Sequence, residues 1–161
     1  MNKLKIYNVT DKYIDFLRQY DIRIPYNKKG RRPYIGVVLQ IKEFNYFAPL
    51  SSPKPKHLIM KNKADFIKIK SGELGIINLN NMIPVPKEEI ILYNIMDEED
   101  TRYQNLLIKQ VFSINKMINT ILNKATKLHD NVVRDTNFLD GRCCNFKLLE
   151  EKYIEYCRSK F

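Results

Sequence analysis

Two short stretches collect the side chains able to do chemistry. Residues 25–33 read PYNKKGRRP and carry Tyr26, Lys28, Lys29, Arg31 and Arg32. Residues 51–57 read SSPKPKH and carry Ser51, Ser52, Lys54, Lys56 and His57. Neither stretch contains a carboxylate to pair with its cations, so the expected partner is an anion from outside. An RNA phosphodiester brings its own nucleophile, the 2′-hydroxyl. A protein that cleaves it must hold the phosphate in line, move two protons and stabilise the extra charge on the phosphorane. Lysine supplies point charge, and a lysine crowded by other cations has a lowered pKa and can exchange protons. Serine donates to non-bridging oxygens, and arginine grips a phosphate through two parallel bonds.

Other chemistries lack their parts. The five glycines, Gly30, Gly36, Gly72, Gly75 and Gly141, match neither a phosphate-cradling loop nor a dinucleotide fingerprint. No paired carboxylates accompany the basic stretches as a two-metal nuclease requires. PLSSPK lacks the glycines of a nucleophile elbow. Three cysteines, two of them adjacent, and two histidines make neither a disulfide framework nor a zinc knuckle. No metal and no cofactor is expected, and Cys144 reads as a small buried hydrophobe.

The charge is uneven. Residues 1–60 hold 12 Lys or Arg against 4 Asp or Glu, while residues 61–161 hold 16 against 14. A field concentrated in one part of the chain points to a polyanion, usually nucleic acid. A non-enzymatic RNA- or DNA-binding regulatory module fits that field as well as an enzyme does. A peripheral membrane protein is a weaker third reading. The 161 residues fit one domain, 1–161, and 44% hydrophobic content supports a real core. The charged N-terminal stretch reads as no signal peptide and no run is long enough to span a bilayer, so a cytoplasmic protein is expected.

The elements that must position these loops follow from periodicity. KLKIYNV alternates as a short strand, and DKYIDFLRQY is an amphipathic helix capped by Thr10 or Asp11. YIGVVLQI is a buried central strand, KEFN a turn, and YFAPL the return strand. Pro49 predicts that pairing ends near it or that the strand is an edge. A hairpin from Tyr34 to Leu50 would bring both loops to the same end. DFIKIK, IINLNNMIPV and EEIILYNI read as further strands, separated by turns such as SGELG. From Asp97 a long helix is predicted through Leu128, with a capping box from Thr101 to Gln104 and a second, short helix over 127–134. Asp97 to Asp100 read as the solvated start of that helix rather than a catalytic or metal cluster. NFKLLEEKYIEYCRSKF is the last helix. Strands followed by helices make the class α+β with an antiparallel sheet and a helical C-terminal part.

KYIDFL, YIGVVLQI, YFAPLSSPK with a following histidine, INLNNMIPV, YQNLLIKQ and CNFKLLEEKY run nearly end to end. In this order and spacing the chain resembles the ToxN/AbiQ endoribonuclease toxins of type III toxin–antitoxin systems. The resemblance implies a compact, twisted antiparallel sheet or partly open barrel, similar to the MazF/Kid toxins, flanked by helices. It implies metal-independent cleavage of mRNA at adenine-rich sites, leaving a 2′,3′-cyclic phosphate. It also implies an RNA antitoxin: pseudoknotted repeats that the toxin cuts from their precursor and that stay bound over the active site. Protein and RNA would alternate in a closed assembly serving phage defence or plasmid maintenance.

Carried over residue by residue, the family's hydroxyl pair and lysine fall on Ser51, Ser52 and Lys54, its histidine on His57, its tyrosine on Tyr26 and its upstream basic residue on Arg32. Arginine at that place preserves charge but not proton exchange, which would rest on Lys54, Tyr26 or Lys29. The residues alone leave alternatives. Ser51 and Ser52 also suit a turn cap, Tyr26 suits packing on the core, and His57 is either an acid–base group or a loop hydrogen-bonding group. Lys28, Lys29, Arg31 and Lys56 read as RNA contacts, with Lys147 and Lys152 facing the antitoxin.

Overall fold

The computed structural model describes residues 3–159. Strand β1 (Lys5–Val9) leads into helix α1 (Asp11–Arg18), whose first turn is capped by Thr10 Oγ1 accepting from the Tyr13 amide at 3.3 Å. Tyr13, Ile14 and Leu17 bury its inner face. Strands β2 (Tyr34–Ile41) and β3 (Phe44–Ser51) form the central hairpin, closed by a two-residue turn at Lys42 and Glu43 that is tighter than expected. After helix α2 (Pro55–Ile59) come four short strands: β4 (Ile67–Lys68), β5 (Ile76–Ile77), β6 (Ile83–Pro84) and β7 (Ile90–Leu92). They are shorter than the alternation predicts, because a 3₁₀ turn at Leu79–Asn81 interrupts one run and Pro84 and Pro86 supply no backbone donor.

Among the described residues these seven strands make one antiparallel sheet in the order β4-β5-β3-β2-β1-β7, with β6 also on β3. The sheet stays open. Strand β3 is interior, since β5 pairs Leu50 and Ser51, and β6 pairs Tyr46 and Phe47. This rules out the edge alternative for Pro49, while the other alternative holds for the hairpin, whose last β2–β3 pair is Tyr34 with Pro49. Pro49 sits opposite Tyr34 without breaking the ladder. The bonds beside it run from the Leu50 amide to the Pro33 carbonyl (3.0 Å) and from the Asn78 amide to the Pro49 carbonyl (2.9 Å), so the missing donor is not needed.

The helical part departs from its prediction at both ends of the long helix. Asp100, not Thr101, is the cap of α3 (Thr101–Lys116); its carboxylate accepts from the Arg102 and Tyr103 amides at 3.0 and 3.2 Å. Gln104 instead donates to the Ile95 and Met96 carbonyls. The helix then breaks at Met117 (φ −118°, ψ 29°) and restarts as α4 (Ile118–Arg134), a full helix rather than the short one expected over 127–134. The apolar stripe of Leu107, Ile114 and Ile121 runs across the break, which is why periodicity hides it. Helix α5 (Phe146–Arg158), capped by Asn145, buries Phe146, Leu149 and Tyr156.

Polar groups inside this core are paired across elements. The Glu150 carboxylate of α5 takes a bond from Tyr46 Oη of β3 (2.6 Å) and meets His129 Nε2 of α4 at 2.7 Å. Phe146 stacks on the His129 ring. Burial pushes the Glu150 carboxyl up, but the bonds from His129 and Tyr46 and the nearby His129 and Lys42 charges outweigh it and hold it below the usual range. Such a group stabilises the fold above its ordinary pKa, and the contribution fades as pH falls through its lowered value. Glu150→Gln is therefore expected to cost about 2–3 kcal/mol, near the low end for breaking a buried pair because the carboxylate keeps some exposure. That corresponds to a fall of roughly 5–10 °C in Tm at neutral pH. Thermal melts of both proteins at falling pH check it: the gap should close below the carboxylate range, and a pH-independent gap refutes the assignment.

Candidate active site

The hairpin register places the two basic loops. With Tyr34 opposite Pro49, and the Leu50 amide bonded to the Pro33 carbonyl, the end of PYNKKGRRP lies beside the start of SSPKPKH. The first loop is anchored by Asn27, which is buried. Its Nδ2 donates to the Val9 carbonyl and to Asp11 Oδ1, both at 2.8 Å, and its carbonyl accepts from the Arg31 and Arg32 amides. Lys28, Lys29 and Gly30 all take left-handed backbone (φ 49°, 57° and 79°), which costs the two lysines about 1–2 kcal/mol each. Asp21 fastens the approach to this loop: its carboxylate accepts from Arg23 Nε and from the Asn145 amide, both at 2.8 Å.

The second loop is closed by His57. The ring is 1% exposed, its Nδ1 accepts from the Lys54 amide at 3.1 Å, and its own amide bonds back to the Lys54 carbonyl at 2.9 Å. Burial, then the charges of Lys56 and Lys54, hold the imidazole below its usual pKa. The ring is thus a neutral acceptor that locks Lys54 at the start of α2. Lys54 itself is exposed, between Pro53 and Pro55. Ser51 is half-buried and its Oγ accepts from Asn78 Nδ2 at 2.7 Å, whereas Ser52 is exposed.

Two glycines missed by the sequence reading brace this loop from behind. A Cβ on Gly75 would stand 2.0 Å from the Ser51 carbonyl oxygen, and one on Gly72 2.3 Å from that of His57. Both have φ near 95°. Only glycine allows the 70–75 turn to press this closely. Gln110 of α3, itself buried, holds the turn by donating to the Leu74 carbonyl at 2.8 Å. Asn78 was missed as well. The signal for all three was present as polar or glycine positions inside SGELG and INLNN, yet nothing local connects them to Ser51.

Ser52, Lys28 and Arg31 line one groove of about 910 Å³. Tyr93, Tyr103 and the acids from Asp97 to Asp100 line the same groove. Of those acids only Asp100 belongs to the helix start, as its cap; Asp97 ends a separate 3₁₀ turn, and Glu98 and Glu99 lie between, so the expected four-acid helix start is reduced to one residue. Tyr93 Oη hydrogen-bonds Glu98, and this bond with the Asp100 amide holds the Glu98 carboxyl below its usual range. Among the described residues no cation of either loop makes an ion pair. Lys28 is held below the usual lysine range, first by burial and then by the Arg32 and Lys54 charges, so these three lie within electrostatic reach of one another.

The remaining candidates sit differently. Arg32 Nε donates to the Tyr26 carbonyl at 2.6 Å. Tyr26 does not pack on the core: it is 75% exposed, with the Arg18 guanidinium 3.9 Å above its ring. Lys29 and Lys56 are exposed near the loops but do not line the groove. Lys147 and Lys152 lie on α5, away from it; Lys152 is already engaged by Glu155 (2.9 Å) and by the Tyr20 ring. Cys144 is buried, as expected, and burial pushes the neighbouring Cys143 thiol up to about 11. Among the described residues no three His, Cys, Asp or Glu side chains converge as a metal would require.

Comparison with known proteins gives this arrangement a context. The endoribonuclease ToxN of Bacillus thuringiensis subsp. kurstaki is 33% identical over 94% of this chain and 84% of its own length. The endoribonuclease AbiQ of Lactococcus lactis subsp. lactis is 31% identical over 96% of this chain and 90% of its own. A solved structure from work on selective toxin inhibition by a non-coding RNA pseudoknot in type III systems superposes with a TM-score of 0.84. It is 32% identical and the match covers 96% of this chain and 98% of that one. The family model described as toxin ToxN of the type III toxin–antitoxin system matches residues 5–154, and the chain belongs to that family.

Proposed function

We propose that the protein, as a single domain over 1–161, is a cytoplasmic endoribonuclease toxin that cleaves mRNA and its own antitoxin precursor without a metal. The observation that carries this is the pair of basic loops, free of ion pairs among the described residues, that meet at one end of a hairpin, with Lys28, Arg31 and Ser52 lining one groove there. The RNA 2′-hydroxyl attacks the adjacent phosphorus and loses its proton; the 5′-oxygen leaves and gains one, and a 2′,3′-cyclic phosphate remains. Ser52 Oγ donates to a non-bridging oxygen, and Lys54 and Arg32 balance the extra charge on the phosphorane. Ser51, held by Asn78, fixes the strand end. Lys28, which lines the groove with Ser52 and whose ammonium is held below the usual lysine range, joins Lys54, Tyr26 and Lys29 as a candidate for proton exchange. Like charge keeps phosphates off the acids of the groove, so the strand runs along Lys28 and Arg31 with base edges toward Glu98. A bound pseudoknotted RNA repeat fills the same groove and silences the enzyme.

Incubation of the purified protein with RNA in EDTA should yield fragments ending in a cyclic phosphate. Ser52→Ala and Lys54→Ala should each lower the cleavage rate by at least about 100-fold. Both residues are exposed, so unfolding free energies should stay within about 0.5 kcal/mol of wild type. Binding without turnover would favour the non-enzymatic reading, and unchanged rates in both variants would displace the site.

His57 is read as a positioning residue for Lys54. Its folded pKa is depressed, so the loop is most stable above the ordinary imidazole pKa of about 6.5 and weakens as pH falls below it. His57→Asn, which keeps an acceptor for the Lys54 amide, should retain most activity, while His57→Ala should lose about tenfold or more. Above about pH 6.5, where the ring is neutral, the His57→Asn rate should stay close to wild type; a rate lowered there as far as in His57→Ala would make His57 an acid–base group instead.

A further inference from the structure

The break between α3 and α4 at Met117 opens a second groove on another part of the surface. Two adjoining hollows of about 560 and 320 Å³ share Lys68, Ser71 and Met117. Five lysines line them: Lys68, Lys70, Lys109, Lys116 and Lys124. No Asp or Glu does. In the groove that holds Ser52, by contrast, four acids share the lining with Lys28 and Arg31. Only Lys70 has a carboxylate partner among the described residues, Glu73 at 3.5 Å in an exposed pair. Lys124 Nζ donates to the Phe66 carbonyl at 2.7 Å, and burial holds it below the usual lysine range. Phe112 lines the same groove with 64% of its surface exposed, and Lys116 Nζ lies 4.2 Å from the centre of its ring.

An exposed aromatic among unpaired lysines has the composition of a single-strand site, in which cations follow the phosphates and a base stacks on the ring. We propose that this groove is a second RNA site, holding an unpaired segment with one base stacked on Phe112 and its phosphates on Lys109, Lys116 and Lys68. The proposal rests on the RNA reading above. The lysine pattern matches a polyanion, and an RNA enzyme already binds one. One turn also links this groove to the first site: Lys70 and Ser71 line it, and Gly72 and Gly75 of the same turn brace the His57 and Ser51 carbonyls.

The test uses Phe112→Ala and the double variant Lys109→Ala/Lys116→Ala, residues outside the cleavage machinery. The probes are a long unstructured RNA, a pseudoknotted RNA, and a short oligonucleotide that spans only the first groove. In a Ser52→Ala background, Phe112→Ala should weaken binding of at least one long probe about tenfold. The double variant should flatten the salt dependence of log Kd by about 1.4. With Ser52 restored, cleavage of the short oligonucleotide and the thermal melt should match wild type. Loss confined to the unstructured RNA assigns the groove to substrate, and loss confined to the pseudoknot assigns it to the antitoxin. Unchanged affinity for both long probes overturns the proposal, as does a loss seen only with anionic vesicles. Failure of the wild-type protein to cleave any RNA would instead refute the endoribonuclease reading, while the binding results would still decide the second site.

Discussion

One hairpin register governs the rest of the site. The bond from the Leu50 amide to the Pro33 carbonyl, with Tyr34 opposite Pro49, fixes where the incoming loop ends relative to where the outgoing loop begins. A slip of one residue would turn every side chain of β3 to the other face of the sheet. The slip is opposed by burial on both strands, since Tyr34, Ile35, Ala48 and Leu50 all lie in the core. Two stretches of repelling cations can be held side by side because the apolar hairpin beneath them supplies the free energy that their mutual repulsion consumes.

Rigidity at this end comes from uncharged contacts rather than from ion pairs. His57 accepts from the Lys54 amide, Asn78 donates to Ser51, and the 70–75 turn lies against two carbonyls of the same loop. None of these contacts uses a charge of the loop cations, which stay available to an anion from solvent. A salt bridge would have organised the loop as well, but it would compete with phosphate for the same ammonium groups. Neutral braces around free cations are the arrangement that transition-state charge stabilisation favours, because little reorganisation is left for the reaction itself.

Charge of the other sign is placed with equal consequence. The Asp100 carboxylate caps α3, and with Asp97, Glu98 and Glu99 it lines the same groove as Lys28 and Arg31. The lysine groove beyond the helix break has no such acids. The two grooves thus differ in charge: one mixes cations with acids, and the other is lined by lysines without acids.

Much of this was legible in the sequence. Period-two and period-3.6 patterns located β1, α1, β2, β3 and α5, and the two carboxylate-free basic loops announced phosphate chemistry. Residue type alone supports those conclusions, because apolar periodicity and an excess of unpaired cation are local properties. The Met117 break, the interior position of β3 despite Pro49, and the bracing of Ser51 and His57 by Asn78, Gly72 and Gly75 were not legible. Each depends on a partner more than a dozen residues away, or on an apolar stripe that continues through a change of helix. His57 shows the division most clearly. The sequence determined that an imidazole follows Lys54 by three residues; only the tertiary structure decided that it is buried, neutral and bonded to the Lys54 amide, because burial is a property of what packs around a ring.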